Sequence, residues 1–222
     1  MDWTALWLSL RLGAVTVLLL LPLGIWAGRV LAYRRFLGRT LVEAAVALPL
    51  VLPPTVLGYY LLVGFGVDAP LGRLWQSLAG RQLAFSFEGL VLASVIVNLP
   101  FAIQPIQRAF EAIPRAVREA AACCGMPPFA VLRRIELPLA WPGILTAMIL
   151  SFAHTLGEFG VVLMVGGSIP GETRTVAIAI YDRVQALDEA GAGRMALLLV
   201  LISLATIALS FVLSRRMGRR LD

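Results

Sequence analysis

The residues best suited to chemistry are His154 and Glu158, which lie together inside a long apolar stretch. Their spacing of four residues places both side chains on one face of a helix. An ionisable residue inside an apolar span is costly and is a candidate functional site by default. The pair could relay protons, contact a substrate, or form a structural ion pair with each other or with an arginine from elsewhere.

Other chemistry is poorly supported by the sequence. Cys123 and Cys124 are adjacent, and with His154, the single histidine, they make a poor set of metal ligands. All 19 basic residues are arginine, whereas an ordinary P-loop needs a lysine to reach the nucleotide phosphates. We therefore predict no catalytic residue, no metal site and no bound cofactor, and any ATP hydrolysis belongs to another subunit.

The composition indicates a membrane protein. Hydrophobic residues make up 59% of the chain, charged residues only 14%, and the mean hydropathy is +0.87. A helix needs about 20 apolar residues to cross a bilayer core of about 30 Å. Stretches of that kind predict an all-α, polytopic protein with five transmembrane helices, at about residues 7–30, 44–66, 89–107, 143–166 and 194–213.

The formal charge of +6 is distributed in a way that indicates membrane orientation and not nucleic-acid binding. Four arginines fall in the segments that alternate as outer ones: Arg73, Arg81, Arg174 and Arg183. Twelve fall in the segments 32–42, 108–142 and 214–222: Arg34, Arg35, Arg39, Arg108, Arg115, Arg118, Arg133, Arg134, Arg215, Arg216, Arg219 and Arg220. Because short cytoplasmic loops are enriched in arginine, we predict an outside amino terminus and a cytoplasmic carboxyl terminus.

Two spans contain residues that could border a transport path. The second contains Pro53 and Pro54, and prolines in a helix interior remove backbone hydrogen bonds and bend it. This span is either a kinked packing helix or a bend beside a pathway. The third contains Asn98, for which a hydrogen bond between helices is favoured over a contact with substrate.

The polar loop 108–142 contains a spaced pattern of residues. We expect one short helix from Glu111 to Cys124, a left-handed turn at Gly125, and a second short helix from Phe129 to Ile135 that ends before Leu137-Pro138. Met126 and Phe129 would form an apolar corner suited to a cleft on a partner; the alternative is an amphipathic hairpin on the bilayer surface. The fixed positions are Glu119, Ala120, Ala121, Gly125, Ile135, Leu137 and Pro138.

This pattern resembles the EAA signature of the membrane subunits of binding-protein-dependent ABC importers. Three further segments resemble permeases of molybdate importers: 48–58 with its prolines, 156–160 (LGEFG), and 169–175 (IPGETRT) followed by Tyr181 and Gln185. One departure is Ala153-His154, where such permeases often have Ala-Arg. The likeness covers about residues 9–213.

The resemblance implies a type I ABC importer permease fold over residues 9–213, with 108–142 as the loop that couples to an ATPase; we call this segment the coupling loop. It implies a homodimer in a bacterial inner membrane, two ATPase subunits that use ATP and Mg²⁺, and a periplasmic oxyanion-binding protein. For an anion, Glu158 would repel the cargo, so a structural role is favoured over a substrate contact. Alternatives are a sulfate or tungstate permease, or an ion-driven secondary transporter with Glu158 and His154 as a proton relay.

Overall fold

The computed structural model describes the backbone of residues 1–218 and the side chains of residues 1–208. Arg219 and Arg220, which the charge argument counts as inner residues, lie outside the described range. Within that range the chain is helical and contains no strand. The helices are α1 (Trp3–Tyr33), α2 (Arg39–Val51), α3 (Pro54–Phe65), α4 (Pro70–Ala79), α5 (Phe87–Glu111), α6 (Arg115–Cys123), α7 (Pro128–Val131), α8 (Leu137–Gly157), α9 (Gly160–Gly166), α10 (Val176–Gln185) and α11 (Glu189–Gly218).

Four helical stretches are long and apolar enough to cross a membrane, and α2 with α3 forms a fifth, broken one. The all-α, polytopic class is thereby confirmed, and the number of spans is five if the broken pair counts as one. The four continuous stretches are Trp3–Tyr33, Phe87–Glu111, Pro128–Gly157 and Glu189–Ala208.

Helix α5 lies at the centre of the bundle between α1 and α8. Small residues allow this close approach, because they let helix backbones come together inside a membrane. A Cβ atom added at Gly143 of α8 would lie 2.4 Å from the Cβ of Ala109 in α5. One added at Gly28 of α1 would lie 2.9 Å from Ile106.

The second span is not one helix over 44–66, as the sequence suggested. Helices α2 and α3 meet at an angle of 111°. Leu52 is extended (φ −70°, ψ 136°), since the residue before a proline is disfavoured in the helical region. Pro54 then begins α3, a position where its missing N–H costs nothing.

The fourth span also differs from the predicted single helix over 143–166: it begins earlier, and it is broken between Gly157 and Gly160, although its last residue, Gly166, agrees with the prediction. Helix α8 begins at Leu137 and ends at Gly157. Glu158 is extended (ψ 125°), and its side chain accepts a hydrogen bond of 3.0 Å from the backbone N–H of Val161 at the start of α9. That contact replaces a bond that a continuous helix would make through its backbone.

The coupling loop contains the two predicted short helices with different bounds. The first, α6, begins after Pro114 and not at Glu111. The second does not end before Leu137-Pro138: α7 continues through a π-helical segment, Leu132–Glu136, into α8. The N–H of Leu137 bonds to the carbonyl of Leu132 five residues back, and this wider turn carries the helix through to Pro138.

Candidate functional site

The breaks in the two interrupted spans lie against each other. A Cβ atom added at Gly160, the first residue of α9, would lie 2.7 Å from the Cβ of Pro54, the first residue of α3. Farther along α3, a Cβ added at Gly58 would lie 2.8 Å from Met164 of α9. The structure therefore brings Pro53 and Pro54 close to Glu158. Helices broken at membrane depth are a feature of transporter binding sites and pathways.

Glu158 is almost fully buried, with 9% of its surface exposed. One carboxylate oxygen accepts the Val161 N–H, and the other lies 3.8 Å from Nε2 of His154. The His154 ring stacks on Phe101 of α5 at a centroid distance of 4.2 Å. These contacts turn both side chains toward the protein, an arrangement that favours the structural interpretation of the pair.

Asn98 is fully buried in α5 and donates hydrogen bonds to the Ser94 carbonyl at 2.8 Å and to Oγ1 of Thr155 at 3.0 Å. Thr155 is the neighbour of His154 on α8. Asn98 thus connects α5 to α8 beside the helix break, as expected for an interhelical amide.

The turn after α6 has the left-handed conformation that the sequence predicts. Gly125 has a φ of +72°. Its N–H bonds to the carbonyl of Ala122 at 2.9 Å, and the N–H of Met126 bonds to that of Ala121 at 3.2 Å. This pair of bonds is a Schellman motif, which satisfies carbonyls at a helix end. Glycine is required for its backbone angle and not for space, because nothing lies within 4 Å of an added Cβ.

The signature residues divide into an outer and an inner group. Glu119 is exposed and pairs with Arg115 at 2.6 Å, Ala120 is also exposed, and Phe129 is 71% exposed. Ala121 is buried under the turn, and Met126 is partly buried. Ile135 and Leu137 are partly buried and Pro138 is exposed; they form the junction from which α8 rises. The outer group leaves the aromatic side chain of Phe129 uncovered, an arrangement suited to contact with a partner.

Cys123 and Cys124 are exposed and unbridged in this same turn. Among the described residues, no group of three potential metal ligands lies together. The absence of a metal site remains a prediction for the whole chain.

Glu136 is the functional candidate that the sequence reasoning missed. It is completely buried in the π-helical segment. One carboxylate oxygen accepts a bond of 2.6 Å from Nε of Arg29, and the other accepts one of 3.1 Å from Nε of Arg118. A carboxylate with an arginine on each oxygen satisfies the requirement that a buried charge be paired and hydrogen-bonded.

Tyr33 completes this arrangement, and we call Arg29, Tyr33, Arg118 and Glu136 the Glu136 cluster. The guanidinium carbon of Arg118 lies 3.5 Å from the centre of the Tyr33 ring, a cation–π contact. The Tyr33 hydroxyl donates to the carbonyl of Phe110 at 3.0 Å. The cluster therefore ties α6 and the base of α8 to the ends of α1 and α5. A sequence signal existed: charged residues at 29 and 136 are each flanked by apolar ones.

Residues 21–222 match the family described as "binding-protein-dependent transport system inner membrane component". The chain belongs to this family. As a binding-protein-dependent permease it is a multi-pass protein of the inner membrane, a transport subunit and not an enzyme, and it works with a partner ATPase and a binding protein.

Curated relatives are similar over most of the permease. The molybdenum transport system permease protein ModB of Azotobacter vinelandii is 50% identical over 202 residues, 91% of this chain and 89% of the relative. A probable sulfate transport system permease protein, cysT, of Chlorella vulgaris is 33% identical over 180 residues, 81% of this chain and 67% of the relative.

Solved structures share the permease fold at lower identity. The MetNI methionine ABC transporter in an inward-facing conformation contains a chain with a TM-score of 0.75 and 18% identity, covering 98% of this chain and 96% of that one. A bacterial alginate ABC transporter bound to its periplasmic protein contains one with a TM-score of 0.76 and 17% identity, covering 96% and 78%. These likenesses confirm the type I ABC importer fold.

The Glu136 cluster generates a stability prediction. Glu136→Gln leaves the two arginines without their carboxylate, and removing one partner of a buried charge pair costs about 3–5 kcal/mol. We expect a value near the lower end, because Arg29 and Arg118 are each about one third exposed. The measurement is thermal unfolding of the purified permease.

Glu119→Gln is the matched control, because it also removes a carboxylate from an arginine pair of the coupling loop. That pair is exposed, so its loss should cost less than about 1 kcal/mol. Equal unfolding temperatures for the two variants would contradict a structural role for the Glu136 cluster.

Proposed function

We propose that this chain forms the transmembrane pathway of an ATP-driven importer of molybdate. The observation that supports this proposal is the meeting of two broken helices at Pro54 and Gly160. Irregular backbone is tolerated at membrane depth only where protein buries it or where it lines a water-filled cavity. The relative from Azotobacter vinelandii, a molybdenum transport permease by name, supports molybdate as the cargo.

In a homodimer, the second copy would bury the break between α2 and α3, which is exposed in a single chain. Helix α2 has no buried residue, and Pro53 and Pro54 at the break are exposed. Beyond the break, α3 exposes Tyr59 and Tyr60 to 54% and 66%. A second copy packed on this surface would bury the apolar area and enclose a path between the two subunits. Pro53, Pro54, Asn98, His154 and Glu158 remain our candidates for residues at or behind that path.

The anion would be surrounded by few fixed charges in this arrangement. Glu158 is directed to the α9 backbone and to His154, which keeps its negative charge away from a passing dianion. Selectivity between tetrahedral dianions would then reside largely in the binding protein. The similarity to a probable sulfate permease keeps sulfate as the second candidate, with tungstate close to molybdate in chemistry. An ion-driven proton relay would leave the exposed coupling loop without a function.

We expect that the permease binds no cofactor, and that ATP and Mg²⁺ are used by two ATPase subunits that dock on the coupling loops. In this scheme, ATP binding brings the ATPase subunits and the two coupling loops together and opens the path toward the binding protein. Hydrolysis restores the inward-facing state.

The proposed cargo is tested by uptake into vesicles that contain the whole importer. We expect ATP-dependent accumulation of labelled molybdate, blocked by excess tungstate and less affected by sulfate. The control is a catalytically inactive ATPase with the same permease. Uptake that follows an ion gradient without ATP would contradict the proposal, and stronger competition by sulfate than by tungstate would favour the sulfate permease.

The orientation is tested by labelling single cysteines with a reagent that does not cross membranes. Gly38 and Gly171 both have left-handed backbones (φ +87° and +79°). Leu37, next to Gly38, and Ile169, two residues before Gly171, are exposed to 104% and 38% and are better sites. Cys123 and Cys124 are first replaced by alanine and serine, because both are exposed. We expect Ile169→Cys to label from outside and Leu37→Cys only after lysis. Labelling of both from the same side would refute the five-span topology.

The coupling role is tested at Gly125. Valine there must adopt a left-handed backbone, at a cost of about 1–2 kcal/mol, and should weaken co-purification of the ATPase while the spans and the dimer stay intact. Gly125→Asn is the matched control, because asparagine tolerates that conformation better. Glu119→Ala should have a milder effect in the same direction. If Gly125→Val bound the ATPase normally and supported normal uptake, the loop would have no part in coupling.

A further inference from the structure

A cleft of 590 Å³ runs along the coupling-loop end of α1. Its lining is polar near the end of α1 and apolar farther into the span. Arg29, Tyr33, Arg34 and Arg118 line the polar part, and Pro22 and Trp26 line the apolar part. Trp26 is 66% exposed, so the cleft is open on the surface of the bundle.

The cleft carries an excess of positive charge. Arg29 and Arg118 share one carboxylate, Glu136, which leaves one of their two charges uncompensated. Arg34 is exposed and makes no ion pair with any described residue. About two positive charges therefore face an open cleft, an arrangement that complements an anion.

Along α1 the cleft lining changes from charged at the membrane surface to apolar toward the membrane interior, as the headgroup and the acyl chain of a lipid would require. Pro22, Trp26, Arg29 and Tyr33 follow one another at helical spacing on one face of α1. With a rise of about 1.5 Å per residue, the wall from Tyr33 to Pro22 extends about 16 Å from the charged end toward the membrane interior. Tryptophan and tyrosine are enriched at membrane interfaces because each ring combines an apolar body with a polar group.

We propose that this cleft binds one anionic phospholipid. Its phosphate pairs with Arg34 and with the outward faces of Arg29 and Arg118, and an acyl chain lies against Trp26 and Pro22. A free oxyanion would use the arginines but not the apolar wall, which is why a lipid fits the whole cleft better. Basic pockets beside transmembrane helices are known to take lipid headgroups of this charge. The bound lipid would contact the Glu136 cluster and so the base of the coupling loop.

The experiment is quenching of Trp26 fluorescence in the full-length permease reconstituted into nanodiscs. The acyl chains of either phosphatidylglycerol or phosphatidylcholine are brominated, and the signal is the difference from the Trp26→Phe variant. We expect brominated phosphatidylglycerol to quench Trp26 at a lower mole fraction than brominated phosphatidylcholine. Arg34→Gln should weaken that preference about fivefold, the factor that corresponds to about 1 kcal/mol for one basic residue near a charged membrane surface.

Arg35→Gln is the matched control, since Arg35 is the next residue, is also exposed, and does not line the cleft. It should retain the preference for phosphatidylglycerol. An equal loss in Arg35→Gln, or equal quenching by both lipids, would show a diffuse surface effect and overturn the site. Absence of Trp26 quenching by either lipid would overturn the proposal, because it would show that no acyl chain reaches the cleft, as when a second subunit covers it. Recovery of Trp26 fluorescence on adding inorganic phosphate at constant ionic strength would mean that the site takes a free anion. None of these outcomes depends on which anion the importer carries.

Discussion

The buried carboxylate of Glu136 with its two arginines is the interaction on which the coupling end of this permease depends. Burying a single unpaired charge among helices would cost several kcal/mol of folding free energy. Arg29 and Arg118, from two different helices, pair with the carboxylate and offset that cost. Arg29 comes from the end of α1, and Arg118 comes from α6. The carboxylate itself lies in the π-helical segment through which α7 continues into the transmembrane helix α8.

This arrangement gives the coupling loop a rigid connection to the bundle. Tyr33 packs under Arg118 and bonds to the carbonyl of Phe110, so the ends of α1 and α5 are held by the same group of side chains. The helix also continues without a break from α7 through the π-helical segment into α8, so the second short helix is joined rigidly to the fourth span. A displacement of the outer surface, where Phe129 and Glu119 lie, would therefore move α8 as a body. At its far end α8 stops at Gly157, where the break at Glu158 lies against the start of α3 at Pro54.

The two breaks differ in how far their backbone hydrogen bonds, which a bilayer requires, are made within one chain. At Glu158 the side chain supplies the missing acceptor for α9, so the break is partly satisfied within one chain. At Leu52-Pro53 no described side chain caps the start of α3, and the 111° bend lies on an exposed surface. This difference is the physical reason why the proposed second subunit, or water, would lie at the proline break.

The sequence alone determined the class of this protein, the presence of two short helices between the third and fourth spans, and the left-handed turn at Gly125. A span is recognised from the length of its apolar stretch, because a helix needs about 20 apolar residues to cross the bilayer. The turn is recognised from a glycine, because glycine adopts a positive φ without strain. Neither inference depends on residues that are distant in the sequence. Only the tertiary structure decided where the second and fourth spans break. Prolines in the second span and Glu158 in the fourth permit either a kinked helix or a broken one. The close packing of α3 on α9 at Gly58 and Gly160 selects the broken form. The pairing of Glu136 with Arg29, 107 residues away, was equally beyond local reasoning, since spacing along a chain does not show which buried charges meet.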